Sequence, residues 1–146
     1  MAALSDAPRN PLPRWQRLGV GYSTALLAAT GLVWLVVHYS VGAGVEGALP
    51  HPLEPWMLRL HGAAVMASLY FFGAVAPLHV PRGWRLARQR RTGMVMLGGM
   101  VLLVVTGYAL YYFAPEPLRA PIGNVHAGVG LLLAGVLGWH ARRRAR

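Results

Sequence analysis

The 146-residue sequence contains no cysteine and only four acidic residues, and charged side chains make up 12% of it. Without cysteine there is no disulfide framework, no thiolate metal site and no iron–sulfur cluster held by the chain itself. Soluble domains carry roughly a quarter charged residues, so this chain has too few to keep an ordinary surface in water. No carboxylate pair, nucleophile with an adjacent base or phosphate-binding glycine loop is present, which leaves no apparatus for processing a substrate. Apolar residues reach 55%, and the mean hydropathy is positive.

The charge that is present is nearly all of one sign, giving a net charge of +10. A basic balance of that size invites a nucleic-acid reading, but its placement excludes one. The arginines fall in three clusters: Arg9, Arg14 and Arg17; then Arg82 to Arg91; then Arg142 to Arg146. Long apolar stretches separate the clusters. Arg59 and Arg119 alone lie elsewhere, close to Glu54 and Glu116. Basic connections alternating with near-neutral ones follow the positive-inside rule for an even number of membrane spans, with both termini cytoplasmic. No nucleic-acid partner is expected.

Four stretches are long and apolar enough to span: 18–39, 56–79, 93–113 and 122–140. A helix needs about 20 residues to cross the hydrocarbon core, and unpaired backbone excludes an open sheet there. The first stretch is longer than the 7–15-residue core of about that size found in signal peptides and follows a long polar lead, so it reads as an anchored span. Val41 to Pro55 is rich in glycine and proline and reads as a periplasmic turn. Pro81 to Arg91 reads as a cytoplasmic connection and Ala114 to Pro121 as a second periplasmic one. Tryptophans and tyrosines near the span ends suit an aromatic belt. The expected fold is all-α: an integral membrane, up-down four-helix bundle forming one membrane domain over residues 1–146.

Five of the six histidines lie in spans or at their ends, where an ionisable group is costly and usually faces the bundle interior. His61 and His79 stand at opposite ends of span two, and His126 and His140 at opposite ends of span four. Spans two and four run the same way and are diagonal neighbours, so His61 is expected to face His126 and His79 to face His140. One imidazole on each side of a flat ring is the arrangement that axially ligates haem iron. At about 100° per residue, 18 residues return His79 to the face of His61, and 14 leave His140 within about 40° of His126. The rises, about 27 Å and about 21 Å, differ by about 6 Å; Pro77 could end or kink span two and absorb that. Glycines leave room for a ring: Gly31 and Gly107 at the periplasmic level, Gly19, Gly21, Gly93, Gly98 and Gly99 at the cytoplasmic one. Ordinary small-residue helix packing explains the same glycines. His51 reads as a solvated loop residue, and His38 as an interfacial one that could replace a periplasmic ligand. The methionines read as packing.

At these residues the chain resembles the small four-helix b-type membrane cytochromes, which include bacterial cytochrome b561-like proteins and the cytochrome b subunits of hydrogenases and formate dehydrogenases. The resemblance rests on His61-Gly62, on His79 with Gly83-Trp84, and on Thr106-Gly107-Tyr108 with Leu110-Tyr111-Tyr112. His126 and His140, fourteen residues apart, complete it and are similar to paired haem ligands of respiratory cytochrome b. It covers about His61 to Arg144. It implies two haem b groups in the bacterial inner membrane and electron transfer involving quinone and a redox partner protein, as an electron-transfer subunit more than a self-sufficient enzyme. On this reading Arg59 and Arg119 would pair with propionates of the periplasmic haem, and Arg82 and Arg85 with those of the cytoplasmic one. The competing expectation is a non-redox membrane subunit, or a metal or proton pathway lined by His61, His126 and Glu54.

Overall fold

The computed structural model describes residues 12–47, 49–85 and 90–145. Arg9, Arg88 and Arg146, and the side chains of Arg143 and Arg144, lie outside the described residues. The chain is all-α: α1 (Arg14–Ser40), α2 (Leu53–Arg85), α3 (Arg90–Tyr112) and α4 (Glu116–Ala145). All four are long and apolar enough to cross a membrane. No strand occurs among the described residues.

Each helix is longer than its apolar stretch, and in α2 and α4 prolines read as loop residues lie inside helical turns. Pro55 and Pro117 occupy the first turns of α2 and α4, where a missing N–H costs nothing because that donor has no intrahelical partner. The Leu118 and Arg119 amides already bond to Pro115 O, at 2.9 and 3.1 Å. Pro77 does not end α2, and Pro81 and Pro121 also lie within helices. The residue four before Pro77 is Gly73.

The helices pair as two antiparallel hairpins. α1 packs closely along α2, and α3 along α4, whereas α1–α4 and α2–α3 touch at few places. Along α1, Gln16, Gly19, Ser23 and Thr30 form a buried stripe of small and polar residues at roughly heptad spacing, which lets backbones approach without a bulky core. It meets Ala64, Ser68 and Phe71 on α2; Phe71 occupies the place where Gly19 would carry a Cβ. The second hairpin is in strict seven-residue register. Thr106 meets His126, Gly99 meets Leu133 and Thr92 meets His140. A seven-residue repeat winds helices left-handed at about 3.5 residues per turn. That winding removes the offset of about 40° calculated for straight helices, and places His126 and His140 on one seam.

Little of the molecule is buried by its own side chains. Ala64 and Ala114 are the buried apolar residues among those described, and no large side chain is fully buried. Among the described residues, α2 and α4 have no Cα atoms within 8 Å of each other. The two hairpins therefore meet along α1–α4 and α2–α3, and α2 reaches α4 only through side chains.

Candidate haem-ligand pairs in the cleft between hairpins

Two imidazole pairs bridge the hairpins. The rings of His61 on α2 and His126 on α4 have centroids 6.3 Å apart and planes inclined at 66°. The rings of His79 and His140 lie 6.2 Å apart at 82°. All four histidines are half-buried. Both pairs reach the same spacing although the α2 interval rises about 6 Å more than the α4 interval, and α2 continues through Pro77 between its two histidines.

That spacing can be tested against coordination chemistry. A metal–imidazole bond of about 2.0–2.1 Å, plus about 1.1 Å from nitrogen to ring centre, puts the centroids of two trans imidazoles about 6.2–6.4 Å apart. Both pairs fall at this value. Among the described residues, no group of three or more His, Asp or Glu side chains could hold a metal ion. A metal held by either pair would need its remaining positions filled from outside the chain, as a planar tetradentate macrocycle does.

Neighbouring helices fix the rings. Thr30 Oγ1 on α1 is 2.9 Å from His61 Nδ1, and Thr106 Oγ1 on α3 is 2.8 Å from His126 Nδ1. Thr92 Oγ1 is 3.1 Å from His140 Nδ1. With Nδ1 occupied, Nε2 is the nitrogen left to ligate. Gly31 and Gly107, next in sequence to the first two threonines, lie against the rings. A Cβ there would stand 3.5 Å from His61 Cε1 and 3.2 Å from His126 Cε1. A Cβ at Gly21, Gly93 or Gly98 would meet no atom of the chain within 4 Å, whereas Gly99 accommodates Leu133.

His38 is not brought to the His61–His126 pair. Its Nδ1 lies 2.8 Å from Glu54 Oε2, and its ring stacks on Trp34 at 4.4 Å and 15°. Glu54 is buried, and its Oε1 accepts the Ala43 and His51 amides, both at 2.9 Å. Gly42 and Gly44 let the loop close over these two side chains, since a Cβ at either would strike Glu54 or His38. Glu54 is thus engaged with His38 and the loop rather than with His61. Trp34 belongs to this cluster, unlike Trp15, Trp56, Trp84 and Trp139, which are more than half exposed.

The arginines lie on the surface. Arg59 stacks over Trp56 at 5.0 Å, and Arg119 approaches Glu116 at 3.9 Å. Arg82, Arg85 and Arg142 are exposed at the end of the bundle where α1 begins and α2 ends. The ring-positioning threonines are absent from the sequence-based candidates. Their signal was a repeated dipeptide, Thr30-Gly31 in α1 and Thr106-Gly107 in α3, each one helix before its histidine. Comparison with known protein families, with characterised proteins and with solved structures finds no match to this chain.

Proposed function

We propose that this chain is a b-type membrane cytochrome in which His61–His126 and His79–His140 each hold one haem. The observation that carries this reading is the single ring spacing shared by two imidazole pairs, 6.3 and 6.2 Å, at two levels between the hairpins. Haem b, when bound, supplies an iron that accepts and releases one electron. The chain's residues do the rest. The histidines hold the metal on its two faces, Thr30, Thr106 and Thr92 orient three of the rings, and Gly31 and Gly107 clear space beside two of them. Arg82, Arg85 and Arg142 at one end, and Arg59 and Arg119 at the other, are the cations within reach of propionates by modest side-chain movement.

Fourteen residues of α4 separate the two levels by about 21 Å along the helix, so the pair of sites forms a path across most of a bilayer. The role proposed is electron transfer between a quinone and a redox partner protein, within one membrane domain. The distribution of arginine supports cytoplasmic termini, and the resemblance implies a bacterial inner membrane. The test is the haem-to-protein ratio and spectrum of the detergent-purified chain. Two haems per chain and a Soret band that shifts on dithionite reduction are expected. A colourless chain would return the protein to the non-redox alternative.

A further inference from the structure

Two hydroxyls decide which proton each distal imidazole carries. Thr30 Oγ1 is 2.7 Å from Leu26 O as well as 2.9 Å from His61 Nδ1. Thr106 Oγ1 repeats the arrangement, 2.7 Å from Leu102 O and 2.8 Å from His126 Nδ1. A hydroxyl has one proton to donate and two lone pairs. A carbonyl has none, and an oxygen–oxygen separation of 2.7 Å is a hydrogen-bond length only with a proton between them. The hydroxyl proton is therefore committed to the helix carbonyl one turn back, a preference well known for threonine in helices. Toward the imidazole each threonine acts as acceptor, and Nδ1 must bear the hydrogen.

We infer that Thr30 and Thr106 are positioning residues that lock His61 and His126 as Nδ1–H tautomers and tune whatever the Nε2 atoms bind. Free neutral imidazole side chains favour the other tautomer, whose Nε2 carries the hydrogen and so cannot ligate a metal. The threonines reverse that choice before any ligand arrives. They also draw Nδ1–H toward a hydroxyl oxygen that is itself polarised by its carbonyl bond. This makes the imidazole more electron-rich and favours the oxidised state of a bound metal. The device occurs twice, on α1 and on α3, each time with glycine at the next position clearing the ring. Neither copy depends on the other.

The tuning half of this inference rests on the proposed haem reading; the tautomer half does not. Histidine-labelled, full-length protein reduced with dithionite is readable by ¹⁵N NMR with or without haem, because low-spin ferrous haem is diamagnetic. The wild type should show slowly exchanging Nδ1–H signals from His61 and His126. Thr30→Val should abolish the His61 signal alone and Thr106→Val the His126 signal alone, with Thr→Ser restoring each. In haem-loaded protein the valine variants should bind haem about 10–100-fold more weakly and titrate at a higher midpoint potential, again with rescue by serine. Unchanged Nδ1–H exchange in both valine variants would overturn the inference and leave the haem reading standing. A wild type that binds no haem would end the haem reading and the tuning, while the tautomer claim would still be decided by the exchange data.

Discussion

At the scale of single residues, ligation makes the sharpest demands. His61→Ala and His126→Ala should each remove the same haem, one per chain, measured by pyridine haemochrome against protein. His79→Ala and His140→Ala should both delete the other component of a two-component redox titration. If the two members of a pair delete different components, the pairing is wrong. Ring orientation gives a further signature. On the proposed reading, imidazole planes crossed at 66° and 82° would overlap the two iron d orbitals of matching symmetry almost equally, leaving those orbitals nearly degenerate. The oxidised protein should therefore give strongly anisotropic low-spin EPR signals at both sites, and a rhombic signal at either would mean that its rings rotate toward parallel. Gly107→Val places bulk where even a Cβ stands 3.2 Å from His126 Cε1. It should lower haem content at that site while sparing the other.

At the scale of helices, small residues do the work that a hydrophobic core does in water. Phe71 fills the place beside Gly19, and Leu133 that beside Gly99. Gly19→Leu or Gly99→Leu should each destabilise its own hairpin by about 1–3 kcal/mol, the usual range for overpacking. Detergent unfolding followed by tryptophan fluorescence would read the loss, and an unchanged midpoint would show that the hairpins are more loosely packed than the contacts indicate. This level also shows what was legible in the sequence. The number of spans and the facing of His61 with His126 were legible in hydropathy and a period near 3.6. The first turns of α2 and α4 were not, because proline announces a loop but is equally at home where a helix begins. The heptad winding of α3 and α4 was hidden too. It needs two helices in register, Thr106 to His126, Gly99 to Leu133 and Thr92 to His140, and periodicity along one helix cannot report a register between two. His38 was open to a ligand role because its partner, Glu54, lies across a loop whose closure depends on Gly42 and Gly44.

At the scale of the whole molecule, charge and the seam between hairpins set the predictions. Twelve of the fourteen arginines belong to the three clusters on one expected side. Reporter fusions at the N-terminus, in the α2–α3 connection and after Arg146 should all read cytoplasmic, and a periplasmic signal at any of them would break the four-span topology. Between the hairpins the polar links are sparse; Tyr39 Oη reaches Asn124 Oδ1 at 3.3 Å, joining α1 to α4. The hairpins also meet where α1 touches α4 and α2 touches α3, and through the facing imidazoles.

That thin seam bears on how the protein is made in the cell. Contacts within each hairpin outnumber those between them, so a group bound between the hairpins would add most to their cohesion. On the proposed reading, cofactor delivery is the last assembly step, and its binding energy becomes cohesion between hairpins. Cells starved of haem synthesis should accumulate a chain that membrane proteases clear quickly. Restoring the supply should extend its lifetime without changing its rate of synthesis, so that the abundance of this protein would report the haem economy of the cell.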